Sequence, residues 1–328
     1  MVQSKSEMRA IGGYFGLELG KVTSSYRFFN VPALNSGRNA LEFILRNINP
    51  KPLRLYLPYY TCEVVLEPLK RLDIPFDFYH INDLLEIEKL PNLKANEYII
   101  VNNYFGIKDS YIDRLFFQLG DKMIVDNAQA FYHKSMEGMK AFYSPRKFVG
   151  VADGGFAYIA QKDQFELEQD YSTDRSKHLL SRIDSGAEAG FEQFKIDDAS
   201  LDNAPLRKMS FLTKRILESI DYDDIKSRRK SNFEYLHSAL AESNNLKLPM
   251  SSSFECPMVY PYLTDNGGDL KKKLIRNKIF VATYWPNVFE WCDKSSNECS
   301  LAENLIPLPI DQRYGYREMI KVIAILNN

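Results

Sequence analysis

A lysine set among apolar and aromatic neighbours is the first residue here that could do covalent chemistry. Lys147 lies in AFYSPRKFVGVADGG (141–155), with Phe142, Tyr143, Phe148, Val149 and Val151 around it and a Gly-Gly turn behind. That setting predicts partial burial, and burial lowers an amine pKa and frees its lone pair for a carbonyl. Other groups follow short apolar runs. Asp126 closes MIVD, with Gln129 three residues on; Tyr59, Tyr60 and Thr61 follow LRLYLP; Asn102 and Asn103 follow YIIV. Upstream, NSGRNAL (35–41) sets Ser36 and Gly37 before a helical period. Free N–H groups and the dipole at a helix start hold an anion, and Gly37 lets a phosphate approach the main chain. Singly, Ser36 reads as an ordinary cap and the other polar residues as turn formers. Together they supply a nucleophilic lysine, a carboxylate, an aromatic ring and an anion cradle, the parts that pyridoxal 5'-phosphate requires. The amine forms an imine with the aldehyde, the carboxylate keeps the pyridine nitrogen protonated, and the phosphate anchors at the helix start.

The pattern around these residues predicts the elements that place them. Apolar runs at 53–57, 75–81, 98–101, 123–126 and 154–160 read as strands. Segments 39–46, 62–72 and 109–120 have helical spacing. Strands alternating with helices predict an α/β fold with a mostly parallel sheet covered on both faces. In such sheets, ligands gather at the carboxyl ends of the strands. Residues 161–205 are charge-rich and irregular, and read as helix and loop laid over the core. The strongly helical stretch 208–240 carries the chain onward. Beyond it, ECPMVYPYL (255–263) and KIFVATYW (278–285) read as strands, LKKKLIRN and YREMIKVIAILNN as helices. The expected division is a large α/β domain at 1–215, with an N-terminal arm at 1–30, and a smaller α+β domain at 216–328.

Composition narrows the function. Across 328 residues, 42 Lys+Arg meet 43 Asp+Glu, a net charge of −1. That balance argues against a broad nucleic-acid or anionic-membrane surface but permits a local basic pocket. No run approaches the ~20 apolar residues of a membrane span. The start, MVQSKSEMRA, lacks the apolar centre of a signal peptide, so a cytoplasmic location is expected. Cys62, Cys256, Cys292 and Cys299 have no zinc-like spacing, and the four histidines are scattered. Free thiols and no metal are expected. Lys271–Lys273 and the cluster Lys226, Arg228, Arg229, Lys230 read as solvated helix faces. Trp285 and Trp291 read as packing residues, with Trp285 able to line a cleft.

The ordered set of motifs resembles the DegT-type nucleotide-sugar aminotransferases, a family of fold-type-I pyridoxal phosphate enzymes. IGGYFGLE (11–18) resembles the family's N-terminal segment, NSGRNAL its phosphate-binding turn, and LPYYTCEVV its Pro-x-x-Thr stretch. VDNAQAF resembles the Asp-x-Ala-His/Gln element, SPRKFVGVADGG the lysine segment, and LIPLPIDQRY (305–314) the late Leu-Pro segment. The resemblance implies a seven-stranded-type, mostly parallel sheet domain with a small C-terminal domain. It implies Lys147 as the imine lysine and proton shuttle, Asp126 against the pyridine nitrogen and Gln129 on the ring oxygen. Ser36, Gly37, Arg38 and Asn39 would hold the phosphate, with Asn103 near the cofactor. Tyr60 would stack on the ring, unless the stacking position falls one or two residues later, near Cys62. The family's phosphate-binding serine, five residues before the lysine, is Phe142 here, and Ser144 stands as its substitute.

The implied reaction moves an amino group from glutamate or glutamine to a keto sugar nucleotide, in a homodimer whose partner subunit completes each site. Lysine at 147, where some relatives carry histidine and dehydrate sugars, favours transamination. Arg38, Arg146, Arg207 and Arg313 are candidates for the donor carboxylate. The alternatives are a catalytically silent or regulatory protein on the same fold, suggested by Phe142, or another pyridoxal phosphate reaction on that fold.

Overall fold

The computed structural model describes residues 17–20, 22, 28, 30–160 and 166–327. The expected arm 1–30 and the motif 11–18 fall mostly outside them. The chain runs β1 (Ala33–Leu34), α1 (Gly37–Arg46), β2 (Arg54–Pro58), α2 (Leu66–Arg71), β3 (Phe76–Tyr79), β4 (Glu97–Asn102), α3 (Asp109–Leu119) and β5 (Met123–Asn127). Then come β6 (Lys140–Tyr143), β7 (Gly155–Tyr158), α4 (Lys177–Ser185), α5 (Phe191–Ala199), α6 (Phe211–Leu217) and α7 (Tyr222–Leu240). The last part holds β8 (Val259–Leu263), α8 (Gly267–Arg276), α9 (Val288–Trp291), α10 (Asn297–Asn304), β9 (Leu305–Pro309) and α11 (Tyr316–Asn327).

Seven strands form one sheet in the order β1-β7-β6-β5-β4-β2-β3. The pairs from β6 through β3 are parallel, whereas β7 is antiparallel to both β6 and β1. This is the mostly parallel α/β sheet that the sequence predicts. Alternation along each strand splits the core between the two faces. Leu55, Leu57, Ile100, Ile124, Phe142 and Ala157 pack with Leu41 and Ile44 of α1. Val101, Val125, Ala141, Tyr143 and Phe156 pack on the other face, in a cluster that continues through Phe233 of α7 to Tyr260 and Leu308. α7 therefore links the large sheet to the antiparallel pair β8–β9.

Two expectations need correction. KIFVATYW is not a strand: after α8 ends, residues 279–287 run as an irregular segment. Two of its aromatic residues pack against the loops at the strand ends instead, Tyr284 on Phe105 and Trp285 on Tyr60, while Phe280 is exposed; just beyond, Asn287 Nδ2 donates to the Thr61 carbonyl at 2.9 Å. The partner of β8 is β9, in the Leu-Pro segment. Second, AFY is a central strand, β6, which the sequence reading passed over. Elsewhere the elements stand within a few residues of expectation, with 62–72 resolved into a 3-10 turn at Glu63–Val65 followed by α2. Helices α4 and α5 occupy the region read as helix and loop over the core.

Candidate active site

The anion cradle forms where β7 presses on the start of α1. Ser36 caps the helix, its Oγ accepting from Asn39 N at 3.1 Å. The Gly37 and Arg38 N–H groups occupy the first two helical positions and have no carbonyl behind them in the helix. Gly155 permits this approach: a Cβ there would lie 2.1 Å from the Ser36 carbonyl oxygen and 2.7 Å from Gly37 N. On the open side, Ser144 comes alongside, its Oγ 3.9 Å from where a Gly37 Cβ would sit. Serine 144 and Gly37 are thus brought together across more than a hundred residues of sequence. Phe142 is buried in the core against α1 and cannot reach this spot.

Two members of the expected phosphate set are committed elsewhere. The Asn39 N–H is taken by Ser36, and its buried side chain binds Asn35 Oδ1 at 2.8 Å and the Pro205 carbonyl at 2.9 Å. The Arg38 guanidinium pairs with Glu67 and, at 2.7 Å, with Asp202. Arg38 therefore offers only its main chain to the cradle.

Asp126 ends β5, in register with Asn102 of β4 and Phe142 of β6. Two residues beyond Ile124, it lies on the α1 face of the sheet. Its Oδ1 accepts from Ala128 N at 2.8 Å. Burial pushes the carboxyl pKa up, and the Lys147 ammonium pulls it back. The same ammonium, with Arg38, acts on the Cys62 thiol, whose pKa burial raises. Lys147, Asp126 and Cys62 therefore form one electrostatic neighbourhood. The expected partial burial of Lys147 is corrected: the residue is exposed. The single 3-10 turn Pro145–Lys147 sends the lysine outward while Phe142, Tyr143 and Phe148 enter the core.

Tyr60 is fully buried, its ring centroid 5.6 Å from Tyr104 and 5.0 Å from Trp285. Of the two residues considered for the ring face, Cys62 is the one that shares the electrostatics of Lys147 and Asp126. Asn103 is saturated inside the molecule: its Nδ2 donates to Asp109 Oδ1 at 2.7 Å and Asn127 Oδ1 at 3.2 Å, and its Oδ1 accepts from Lys108 N. Its expected contact with a cofactor is thereby replaced by a structural role. Gln129 Oε1 accepts from Phe105 N at 3.0 Å, leaving Nε2 buried without a partner. Asn102 Oδ1 and Tyr60 OH are likewise buried and unpartnered. Orphaned polar atoms after the strand ends, with Asn102 in register with Asp126, fit a polar aromatic cofactor. Gln129 Nε2 in particular is a buried donor without a partner.

Several supporting residues escaped the sequence reading. Asp153, fully buried, accepts from Ser210 N and Ser210 Oγ at 2.9 Å each and from Thr213 Oγ1. It ties the turn after Lys147 to the start of α6. Arg229, expected on a solvated face, is buried: Nη1 donates to the Met258 carbonyl at 2.8 Å and Nη2 to the Phe148 carbonyl at 3.3 Å, with its guanidinium 4.7 Å from the Phe148 ring centroid. Lys271, also expected to be solvated, is buried with Nζ on the Ala302 and Glu303 carbonyls at 3.0 and 2.9 Å; burial lowers its pKa to about 8. The four arginines considered for a donor carboxylate all have acidic partners: Arg38 as above, Arg146 with Asp198, Arg207 with Glu168 and Arg313 with Asp311. Among the described residues no cluster suits a metal ion, and no helix is long and apolar enough to cross a membrane. All four cysteines are free.

This architecture is the fold of the pyridoxal phosphate aminotransferases of the DegT type. No protein-family model and no curated protein matches the sequence. Solved structures do. A DegT DnrJ EryC1 StrS aminotransferase from Brucella abortus superposes with a TM-score of 0.61 at 17% identity, over 90% of this chain and 85% of that one. The pyridoxal phosphate form of Spr1654 from Streptococcus pneumoniae, described as a putative sugar aminotransferase, gives 0.61 at 15% identity, over 90% and 85%. NtdA from Bacillus subtilis with bound cofactor PMP gives 0.61 at 15% identity, over 91% and 73%.

Proposed function

We propose that this protein is a pyridoxal phosphate-dependent sugar aminotransferase, acting on a keto sugar nucleotide with glutamate or glutamine as amino donor. What supports the reading is Ser144 against the start of α1 at Gly37, and β5 in register with β6, which sets Asp126 beside Phe142, two residues before Ser144, with the Lys147 ammonium pulling on the Asp126 carboxyl. When bound, the cofactor supplies an aldehyde for the amine and a protonated ring that accepts electrons from the substrate carbon. The Gly37 and Arg38 N–H groups and the Ser144 hydroxyl would hold its phosphate. Asp126 would keep a proton on the ring nitrogen, Gln129 Nε2 would donate to the ring oxygen, and Cys62 rather than Tyr60 would lie against the ring. Lys147 Nζ, exposed and therefore reachable, takes the proton from the amine-bearing carbon of the donor and later delivers one to the sugar carbon. The segment carrying Trp285 and Asn287 shields that edge from water.

The reading carries further proposals. Residues 1–215 and 216–328 are taken as the two domains, and the protein as a cytoplasmic homodimer. Exposed apolar side chains on α4 and α5, Ile183 at 80%, Ile196 at 63% and Phe191 at 55%, support a subunit contact there. With Ser144 beside Gly37, the loss of a serine at 142 does not argue for a silent protein.

The test is borohydride reduction of the cofactor-loaded protein, followed by peptide mass analysis. The wild type is expected to carry the pyridoxyl adduct on Lys147, Lys147→Ala to carry none, and glutamate to bleach the visible band with release of a keto acid. An adduct on another lysine, or a reducible imine retained by the alanine variant, refutes the assignment.

A further inference from the structure

Lys147 and Gln129, the side chains proposed to meet the cofactor's aldehyde and ring oxygen, stand on separate loops, after β6 and after β5. A run of hydrogen bonds, passed on from residue to residue, joins the two loops through a buried arginine. Lys147 ends the turn Pro145–Lys147, and Phe148 closes that turn by donating its N–H to the Pro145 carbonyl at 2.9 Å. The Phe148 carbonyl accepts from Arg229 Nη2 at 3.3 Å and from Gln312 Nε2 at 2.8 Å. Arg229 Nη1 donates to the Met258 carbonyl at 2.8 Å. The Met258 N–H donates to the Phe105 carbonyl at 2.7 Å, and the Phe105 N–H donates to Gln129 Oε1 at 3.0 Å. The run thus leads from the lysine turn, through α7 and the segment before β8, to the loop after β4, and ends on the Gln129 amide.

The links leave little slack. With Oε1 taken by Phe105, the Gln129 amide cannot turn without losing that bond, so Nε2 is held in one direction. Phe105 itself has φ +57°, and a Cβ on the following Gly106 would stand 2.7 Å from the Cys256 carbonyl oxygen and 3.0 Å from that of Gln129. A bulky residue keeps a left-handed backbone only where its neighbours over-determine it, and the Met258 N–H is one of the groups that do so. Arg229 is 2% exposed, and its partners are neutral oxygens: Nε donates to Gln312 Oε1 at 3.1 Å, and the two terminal nitrogens to the carbonyls above. A buried guanidinium without a paired carboxylate is a poor source of stability. What its planar fork supplies is a fixed geometry between the groups it holds, here the lysine turn and the segment that carries Met258.

We propose that Arg229 is a positioning residue, which holds the Gln129 amide and the Lys147 turn at one fixed spacing so that both meet the same bound cofactor. Its hydrogen bonds go to neither side chain; it acts through the main chain of Phe148 and Met258. The proposal rests on the aminotransferase reading for what Lys147 and Gln129 meet, whereas the run of hydrogen bonds stands without it.

The test compares wild type, Arg229→Lys, which keeps the charge and loses the fork, and the exposed control Lys272→Gln. Gln312→Leu, at a half-buried position, removes the Nε acceptor and one donor to Phe148, and decides the matter should Arg229→Lys not fold. Amide hydrogen exchange is read first, on protein without cofactor. Expected is exchange faster by roughly tenfold at the Phe105 and Met258 N–H groups, with α1 and β5 unchanged. Pyridoxal phosphate affinity is then measured in a double-mutant cycle with Gln129→Leu. Expected is a loss of about tenfold from Arg229→Lys where Gln129 is present, and of less than about threefold where Gln129→Leu has already removed the amide. At saturating cofactor, the fraction trapped on Lys147 by borohydride should also fall, which a mere loss of stability would not cause. Exchange that rises evenly over the molecule, equal losses in the two backgrounds, or unchanged trapping on Lys147 overturns the positioning role. A wild type that takes up no pyridoxal phosphate sinks the aminotransferase reading instead, and exchange at Phe105 still decides whether Arg229 holds the Gln129 loop.

Discussion

Gly155→Ala tests how the cradle is held. The added Cβ would sit 2.1 Å from the Ser36 carbonyl oxygen, 2.4 Å from its carbon and 2.7 Å from Gly37 N. Ordinary non-bonded contact is about 3.5 Å, so the two backbones must part by more than about 1 Å. Neither can give cheaply. Gly155 is paired with Leu34 in the sheet, and α1 is fixed by fully buried Leu41 and Ile44. Overpacking costs about 1–3 kcal/mol, and a clash with main chain belongs at the upper end. With unfolding entropy near 2.1 cal/mol/K per residue, about 3 kcal/mol lowers the melting midpoint by about 4 °C for a chain of this length. The cofactor feels the change separately. The Gly37 and Arg38 N–H groups move with Ser36, and a hydrogen bond to a charged group contributes about 1.5–3 kcal/mol. Weakening one of them lowers affinity roughly ten- to a hundredfold. Melting curves and an absorbance titration with pyridoxal phosphate read both effects. Gly120→Ala is the control: its φ of +57° carries backbone strain, but nothing lies within 4 Å of the new methyl. With ψ at −132° as well, outside the left-handed helical region, it should lower stability by about 1–3 kcal/mol without touching cofactor affinity. A Gly155→Ala protein that melts and binds like the wild type refutes the reasoning.

The remaining predictions concern titration. Burial raises the Cys62 thiol above its ordinary value and pushes Cys256 and Cys292 up to about 12. Less thiolate is present at pH 8 than in a free thiol, so alkylation by iodoacetamide should be slow there and accelerate only above the usual thiol range; rapid labelling of Cys62 at pH 7 would contradict this. Lys271, at about 8 when folded, lies below the unfolded value of ~10.4. The unfolded chain then holds more protons across that window, and stability rises with pH between the two values. Urea midpoints at pH 7.5 and 9.5 should show this gain in the wild type and less of it in Lys271→Met; equal gains would place the titration elsewhere.

The fold was legible because its strands are nearly continuous apolar runs stopped by polar residues, as in YIIV–Asn102 and MIV–Asp126. β6 was not, because Ala141, Phe142 and Tyr143 look like flanks of the lysine rather than a strand. Only the sheet shows Phe142 on one face and its neighbours on the other. KIFVATYW has strand composition, yet Tyr284 and Trp285 meet the loops at the ends of β4 and β2 through side chains, a tertiary choice that no local propensity records. Arg229 and Lys271 sit in runs of charge that suit a solvated face. Their burial depends on carbonyls offered by distant segments, Met258 and Phe148 for one, Ala302 and Glu303 for the other.

The site shows where periodicity stops carrying information. Along β5 the period of two fixes Asp126 on the α1 face with Ile124. Past Pro58 the strand has ended, and the alternation that would choose among Tyr59, Tyr60 and Cys62 no longer applies. The choice is made by packing: Tyr60 goes under Trp285 and Tyr104, and Cys62, extended at φ −73° before a 3-10 turn, is left to Lys147 and Asp126. The arginines follow the same logic. Those beside recognisable motifs, Arg38, Arg146, Arg207 and Arg313, each acquired a carboxylate as the chain folded. Arg182, in a stretch with no motif, has no carboxylate partner among the described residues, and it lines the same cavity as Lys147.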